Sequence, residues 1–539
     1  MQAQVSGIFH IGGAGDSYAT IQDAVDDLAQ VGVSGPVDLV VAPGVYTGGL
    51  ALDPIPGAGA SAPILIRPLN PGAYDVHISG EPELFRGVVD IRVPFVSLHE
   101  ISIDVYPDPL SPVPIATSCV QVDADDVVVS SCTITNNTAT THGVSVDGER
   151  SVLLDNVIVN EYADSTHGST GLHVYGVERV TVDGNNFSGW VSGMYLSSIG
   201  QCDVVDNGIL LAKTALNEDL SRGITLALSE NANILRNRIV MYEAGAGIWI
   251  GGYSDERITR RIENNMVSNI KYSAVGYATT GIDVHLYTTP AVDLTTPAES
   301  ELYIRHNSIY VEGDSASGIF TDYPLAQETV ITSNSVHMVS NKCVGLNYAS
   351  NTSAPWPTSN YNNVSFSGVG NWYGIYQTKV LIRTNTTMED HSIGAVPHYV
   401  SKTNLHIKDT SPNINTAFFD AEITNDYDKD PRPGLGQHDI GADEYGNLGL
   451  KSLVVAPPVL PAATVEIGAY PNPAQDQVVF ELPDDEVQPF VLHGADGRVV
   501  LSGMSVTGQA VRLDGLAPGT YIARFPQWPS KTTRLVVAH

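Results

Sequence analysis

The stretch GIDVH at residues 281–285 shows the pattern that decides the fold: a glycine followed by strictly alternating apolar and polar residues. The same unit returns at steps of roughly 22 to 37 residues, which is typical of stacked structural repeats. Its other copies are GVSV at 143–146, GLHV at 171–174, GMYL at 193–196, GITL at 223–226, GIWI at 247–250, GIFT at 318–321, GLNY at 345–348 and GIYQ at 374–377. One such strand cannot bury its apolar face alone, so the repeats must stack on one another.

A second unit, an asparagine followed by an apolar-rich strand, lies between the glycine units. Its copies begin at Asn156, Asn186, Asn207, Asn237, Asn265, Asn307, Asn334 and Asn363. Asparagine tolerates left-handed turns, and stacked amides can hydrogen-bond along a ladder, so we interpret this column as structural. Two strands per repeat, at the ~4.8 Å strand spacing, predict a right-handed parallel β-helix. The inward residues would be pairs such as Val144 with Val146 and Ile248 with Ile250.

The composition agrees with this all-β fold and excludes several functions. The 539 residues include 50 glycines, and only 16% are charged, whereas a helix-rich chain would carry more Glu, Lys and Arg. The formal net charge is −32, which argues against nucleic acid and against anionic lipid as partners. No apolar run approaches the ~20 residues of a transmembrane helix. Cys119 and Cys132 could pair across neighbouring repeats or remain thiols, and the sequence leaves both open.

The two ends of the repeat region carry more specific signals. Residues 20–28, TIQDAVDDL, form the one convincing amphipathic helix, which predicts a cap over the first repeat. This helix and VAPGVY at 41–46 resemble the opening of pectin-lyase-like β-helix proteins. SPNIN at 411–415, DYDKDPRP at 426–433 and DIGADE at 439–444 resemble the segment that closes many bacterial extracellular members. The resemblance covers about residues 8–445 and implies a β-helix domain, which we place at 1–445.

The C-terminal part has a different pattern. A Pro/Ala-rich linker is predicted at 446–464, and short strands with turn signals predict a small β-sandwich at 465–539. YPNP at 470–473, DGR at 496–498, LAPGTY at 516–521 and RLVV at 534–537 resemble the type A sorting domain of the bacterial type IX secretion system. The resemblance implies the secretion machinery as a partner and a secreted or outer-membrane-anchored protein. The N-terminus shows no signal peptide, which such cargo needs, so Met1 is interpreted as the start of a mature chain. The alternative is an ordinary sandwich appendage, such as a carbohydrate-binding module.

Candidate binding residues lie on the outward side of the glycine-containing strands. In a parallel β-helix these positions form columns, and here aromatic rings alternate with His and Asp. Such a surface suits stacking on sugar rings with polar groups to orient them, which favours a polysaccharide or surface glycan as partner. The predicted substrate-binding residues are His173, Tyr175, Tyr195, Trp249, Phe320 and Tyr376. The alternative is a set of unrelated exposed residues on a large surface.

The candidate catalytic residues are Asp283, His285 and Asp322. Asp283 and His285 share one face of a strand, and Asp322 falls on the next repeat if the register holds. Neighbouring carboxylates push their pKa values apart, which suits general acid–base chemistry in a glycoside hydrolase. A polysaccharide lyase would instead use His285 or an arginine as base, with calcium to neutralise a uronate. The motifs of polygalacturonases and pectate lyases are missing, so a non-catalytic adhesin or structural β-helix is the alternative. The net charge favours neutral or weakly charged glycans.

A last cluster suggests a metal. Asp426, Asp428 and Asp430 alternate along the chain and could present oxygens to Ca²⁺, although the other features of a calcium loop are absent. Alternatively, these side chains cap turns.

Overall fold

The computed structural model describes residues 4–81, 86–106, 118–138, 141–162, 169–211, 221–242, 244–253, 258–270, 279–287, 300–313, 315–322, 327–340, 342–349, 357–373, 378, 380, 388–432, 437–446, 467–472, 474–475, 477–482, 488–493, 499–505, 510–513, 516–525 and 532–538. The chain divides into two compact units, Met1–Val454 and Val455–His539. The first unit is a right-handed parallel β-helix, as the repeats predict. Most of the predicted linker, from residue 447 on, lies outside the described residues.

Three parallel sheets form the walls of the β-helix; each rung contributes one strand to each sheet, and sheet 1 has one further strand, Val5–Ile11, at its N-terminal end. Sheet 1 has 13 strands: Val5–Ile11, Val33–Val41, Ile64–Pro68, Val96–His99, Val128–Ser130, Ser151–Leu154, Arg179–Asp183, Gln201–Val205, Asn231–Leu235, Thr259–Glu263, Ser300–Arg305, Gln327–Thr332 and Thr358–Asn360. Sheet 2 has 12 strands: Leu50–Leu52, Val89–Ile91, Ser118–Val122, His142–Val146, Thr170–Tyr175, Ser192–Ser197, Ser221–Ala227, Gly245–Tyr253, Thr280–Tyr287, Ala316–Asp322, Cys343–Ala349 and Gly370–Tyr373. Sheet 3 has 12 strands: Gly44–Thr47, Val76–Gly80, Ser102–Val105, Thr133–Asn136, Val157–Asn160, Asn186–Ser188, Gly208–Leu210, Arg238–Met241, Met266–Asn269, Ser308–Glu312, Ser335–Val339 and Asn363–Ser367.

Eight of the glycine units, from GVSV at 143–146 to GLNY at 345–348, lie in strands of sheet 2, and their apolar residues fill the interior. The ninth unit, GIYQ at 374–377, lies outside the described residues. Val144 and Val146 are fully buried, as are Ile248 and, nearly so, Ile250. The glycine is required by space rather than by backbone conformation. A Cβ on Gly247 would stand 2.2 Å from Val267 Cγ1 and 2.7 Å from the carbonyl oxygen of Gly281 on the next rung. The same conflict with the following glycine recurs from Gly143 to Gly318, so the column of glycines lets consecutive rungs approach each other.

The asparagine column is an internal ladder, as predicted, with two corrections of register. Asn237 shows the pattern: its Oδ1 accepts the backbone N–H and the amide of Asn207, and its Nδ2 donates to Asn265 Oδ1. The members with such bonds are Asn156, Asn185, Asn207, Asn237, Asn265, Asn307, Asn334 and Asn362. The ladder therefore uses Asn185 and Asn362, and not Asn186 and Asn363. Where two asparagines are adjacent, the one at the corner before the strand points inward.

The helix Ile21–Val31 covers the first rung, and it buries the predicted residues Ile21, Ala24, Val25 and Leu28. Thr20 begins it with a reciprocal capping box to Asp23. The Gln22 side chain donates to the carbonyl of Ala51 at 3.0 Å and accepts from its N–H at 2.9 Å. Ala51 lies in the first strand of sheet 2. The Gln22 side-chain amide therefore satisfies backbone groups of an edge strand that would otherwise be open to pairing.

The closing segment, residues 388–446, contains no helix or regular strand among its described residues. It crosses the outer face of sheet 3. Tyr399 donates to Ser335, and Asn413 bridges Ser335 and Asn363. Farther along the sheet, Arg238 donates to the carbonyl of Thr403 at 3.0 Å. The segment thus fastens several rungs through side-chain contacts.

The second unit contains two small antiparallel sheets, in agreement with the predicted sandwich. One has the strands Gly468–Tyr470, Gln477–Glu481 and Ala510–Arg512, and the other has Val499–Ser505, Gln488–His493, Gly519–Arg524 and Thr532–Val537. Phe480, Phe490 and Phe525 pack together in its core. The four cysteines of the chain, all in the described β-helix, are buried thiols without disulfides, which answers the question about Cys119 and Cys132.

Candidate functional site

The outer face of sheet 2 carries the predicted columns in the predicted register. Ser145 pairs with His173, His173 with Tyr195, and Tyr195 with Thr225 on successive rungs. The column continues through Trp249, Asp283, Phe320 and Asn347. In the neighbouring column His285 pairs with Asp322. The alternation along one strand and the parallel in-register pairing are sufficient to produce this alignment.

Five residues from four consecutive rungs form a contiguous group, which we call the Trp249 cluster: Arg222, Trp249, Asp283, His285 and Phe320. The guanidinium of Arg222 lies 4.2 Å from the centre of the Trp249 ring, within the range of a cation–π contact. The His285 ring centre is 6.1 Å from that of Trp249 and 5.1 Å from that of Phe320. The indole occupies the space above Gly251, where a Cβ would stand 2.1 Å from the ring. Because Gly251 has no side chain, the Trp249 indole can lie directly over it.

An acid–base pair lies within the cluster. Nε2 of His285 is 2.9 Å from Oδ1 of Asp283, and both side chains are about one-fifth exposed. A carboxylate beside an imidazole fixes the ring orientation and stabilises its protonated form, which is an arrangement used in general acid–base catalysis. Burial lowers the pKa of Arg222, while the neighbouring Asp283 acts in the opposite direction. The cluster thus brings a cation, a carboxylate and an imidazole to one partly exposed surface.

A second set of rings precedes the cluster on the same face. His142, His173 and Tyr195 stack on one another, with ring centres 4.5 Å and 5.5 Å apart and planes 22° and 2° from parallel. Since each ring covers its neighbour, the ring faces contact one another within the stack and are largely unavailable to a sugar. Burial and the neighbouring His173 lower the pKa of His142 to about 4, so its imidazole is neutral near pH 7. Tyr175, by contrast, is 58% exposed.

For some of the predicted site residues, the side chain or the whole residue lies outside the described part of the chain. The backbone puts Asp322 beside His285, but the Asp322 side chain lies outside the described residues, as does Tyr376. Sequence reasoning missed Arg222 and His142. Each of them immediately precedes the glycine of its repeat. The column of residues before the glycines would therefore have revealed both.

The acidic cluster of the closing segment is divided between two roles. Both carboxylate oxygens of Asp426 accept backbone amides, from Asp430 at 2.8 Å and from Glu444 at 2.9 Å. This matches the turn-capping alternative for Asp426. Asp428 instead contacts His406, with Asp443 nearby. Calcium binding by the three aspartates stays a prediction.

One comparison with known proteins bears on the fold. A family model described as the right handed beta helix region matches residues 118–291 and supports the β-helix. No curated protein matches the chain. Among solved structures, the crystal structure of pectate lyase Pel9A is similar to this chain with 13% identity and a TM-score of 0.36, covering 82% of this chain and 98% of that one. No helix among the described residues is long and apolar enough to cross a membrane.

Proposed function

We propose that this protein binds a polysaccharide along the outer face of sheet 2, with the Trp249 cluster at the centre of the site. The observation that carries the proposal is the grouping of an indole, a guanidinium and the Asp283–His285 pair on consecutive rungs. From the rung of Arg222 to that of Phe320 the cluster extends roughly 14 Å along the helix axis. This length suits several linked sugar units rather than a single small molecule.

The chemistry of the cluster fits a sugar chain. Aromatic rings offer apolar surface to the C–H faces of sugars, and charged side chains exchange hydrogen bonds with hydroxyl groups. Arg222 is the cation of the cluster and lies close to Asp283, which offsets its charge. The chain as a whole has a net charge of −32, so long polyanions are repelled before they reach the face. The ligand class is therefore a neutral or weakly charged glycan.

Cleavage of the bound glycan is a second candidate, favoured by the Asp283–His285 pair. In a hydrolase, Asp283 and the carboxylate of Asp322 would share acid and base roles across a glycosidic bond. In a lyase, which would act on uronate units of a weakly charged glycan, His285 would remove the C5 proton as the glycosidic C4–O bond breaks, with Asp283 stabilising the imidazolium that forms. The non-catalytic alternative uses the same surface for binding alone, as a surface adhesin does.

A polysaccharide panel tests both candidates on the full chain. Affinity gel electrophoresis measures retention, and assays for reducing ends and for unsaturated-product absorbance measure hydrolysis and elimination. Trp249→Ala should reduce retention by at least about tenfold, while Tyr74→Ala, an exposed tyrosine elsewhere on the β-helix, should not. Asp283→Asn should abolish any cleavage and should weaken retention less than Trp249→Ala does, because the amide keeps hydrogen-bonding capacity at that position. If no polymer is retained or cleaved, the proposal is wrong; retention without cleavage leaves the binding role alone.

We also propose that the second unit directs export by the type IX machinery to the cell surface or the medium. The support is the sequence resemblance, together with the way its motif residues hold the module. Asn472 of the YPNP motif accepts the N–H of Val536 at 2.8 Å and donates to the carbonyl of Arg534 at 2.6 Å. Tyr521 donates to the carbonyl of Ala517 at 2.6 Å. Removing residues 465–539 in a host with this system should leave the protein in the periplasm. Unchanged surface exposure would contradict the export role.

A further inference from the structure

Three side chains from separate turns of the closing segment converge on one point: His406, Asp428 and Asp443. One ligand atom from each lies within 4.8 Å of the other two, and His406 Nε2 is 2.9 Å from Asp428 Oδ2. We propose that these three residues bind a divalent transition-metal ion, of which Zn²⁺ is the best match, and that the ion fastens the closing segment. One imidazole nitrogen with two carboxylate oxygens is a donor set that suits zinc, with water as the fourth ligand, better than it suits calcium.

The orientation of the imidazole points to a ligand. His406 Nδ1 contacts Asn404 Oδ1, and the same oxygen accepts the backbone N–H of His406 at 3.2 Å. That second bond identifies the atom as the amide oxygen, which can only accept, so Nδ1 carries the hydrogen. Nε2 is thereby directed at the two carboxylates. A second ring nitrogen held by an oxygen acceptor is the usual support of a metal-binding histidine.

The carboxylates are also positioned from outside the site. Asp443 is buried, and its Oδ2 accepts the N–H of Ile407 at 2.7 Å. His406 and Asp428 are about one-third exposed, which leaves a solvent route by which an ion and its water ligand can enter. The Tyr427 ring stands edge-on to His406 at 5.6 Å. Arg238 acts electrostatically on His406, and Arg432 acts on Asp443. Because Arg432 is paired with the buried Glu444, the two carboxylates of the site outnumber the remaining guanidinium, and the site retains negative charge for a divalent ion.

A metal ion at this site would hold the closing segment in a fixed conformation, which the backbone hydrogen bonds of a sheet or helix do elsewhere in the chain. The described part of the closing segment lacks sheet or helix ladders that would fix it. The three ligands are separated by 22 and 15 residues, so one ion would close two loops of the chain. Closing such loops removes conformational freedom mainly from the unfolded chain, which stabilises the folded segment.

The test uses the full chain after dialysis against a chelator. Calorimetric titration with ZnCl₂ should give one ion per chain, and the ion should raise the thermal unfolding midpoint. Asp443→Asn and His406→Gln should lose this ion, while His398→Gln, a histidine of the same segment outside the group, should keep it. Asn404→Ala removes the acceptor of the His406 ring and backbone N–H groups but none of the three ligands, and it should weaken zinc binding by about 10- to 100-fold.

Two results would overturn the inference. The first is a chain that takes up no stoichiometric zinc, including one that takes up calcium alone. The second is zinc uptake and midpoint shift that are the same in the wild type and in both ligand variants. Because Asn404→Ala keeps all three ligands, it distinguishes lost coordination from a failure to fold, as does near-ultraviolet circular dichroism of each variant.

Discussion

The rungs between residues 118 and 373 and the closing segment satisfy their backbone hydrogen-bonding groups in different ways. In the rungs, every strand pairs with the next rung, and neutral amides such as Asn237 continue the pattern through the corners. In the closing segment, charged side chains do this work: Arg432 and Glu444 form a fully buried ion pair at 2.7 Å, and Asp426 and Asp439 accept backbone amides. Repetition lets neutral groups satisfy the backbone, whereas irregular chain needs individually placed charges.

The largest expected effect comes from breaking that ion pair. Arg432→Met leaves the carboxylate of Glu444 buried without the guanidinium that balances its charge and should lower the free energy of unfolding by about 3–5 kcal/mol. Arg150→Met, which breaks an exposed pair with Asp126, should leave stability nearly unchanged. Chemical denaturation measures both. Adding Glu444→Gln to Arg432→Met should recover much of the loss; no recovery would mean that the charge is not the cause.

The next effect tests the neutral ladder. Asn237→Ala removes the acceptor of two groups of Asn207 and should cost about 1–3 kcal/mol for each buried group left without a partner. Asn233→Ala, on the outward side of the preceding strand, should cost under about 0.5 kcal/mol. Equal losses in the two variants would show that the ladder contributes nothing beyond the strand itself.

Rung spacing is tested at the glycine column. Gly247→Ala places a methyl group against Val267 and the carbonyl of Gly281, and overpacking of this kind costs about 1–3 kcal/mol. Gly59→Ala, in a turn with open space around its Cβ position, is the matched control. Thermal unfolding of the two variants should differ clearly. A stable Gly247→Ala protein would show that neighbouring rungs can separate without loss.

The smallest net effect concerns pH, because the buried histidines His306 and His438 and the buried carboxylates of the closing segment act in opposite directions. Burial lowers the pKa of His438 to about 4, and that of its neighbour His306 also falls well below 6.5. Below pH 6.5 the unfolded chain takes up protons that the folded chain does not, so stability declines as the pH falls from 6.5 to about 4. A tenfold difference in proton affinity between the folded and unfolded chain corresponds to about 1.4 kcal/mol of stability.

Buried carboxylates act in the opposite direction in the same range. Burial raises the pKa of Asp426 and of Asp439 to about 7, so their contribution weakens as the pH rises from about 4 to 7. The measurement is therefore a difference between variants. His438→Phe should lose less stability on acidification than the wild type, and His10→Phe, on the exposed side of the first strand, should match the wild type. Identical slopes for all three proteins would remove His438 as the cause.

The particular residues show where sequence reasoning succeeds and where it stops. Register along sheet 2 was predicted because one-residue alternation and repeated glycines permit a single alignment, so Trp249, Asp283 and Phe320 fell on consecutive rungs as expected. Adjacent asparagines defeated the same reasoning at Asn185 and Asn362, since only the local corner decides which amide turns inward. The contact of Arg222 with Trp249 joins residues from neighbouring rungs and depends on a rotamer that no pattern encodes.

The sequence by itself therefore determined the β-helix, its helical cap and the columns of its outer face, because these follow from periodicity and from local steric rules. Only the tertiary structure decided how the closing segment runs along sheet 3 and which of its charges meet. His406, Asp428 and Asp443 are far apart in the chain and share no repeat, so nothing in their spacing indicates that they converge. Contacts that recur in every rung produce a periodic pattern in the sequence, and contacts that occur once produce no such pattern.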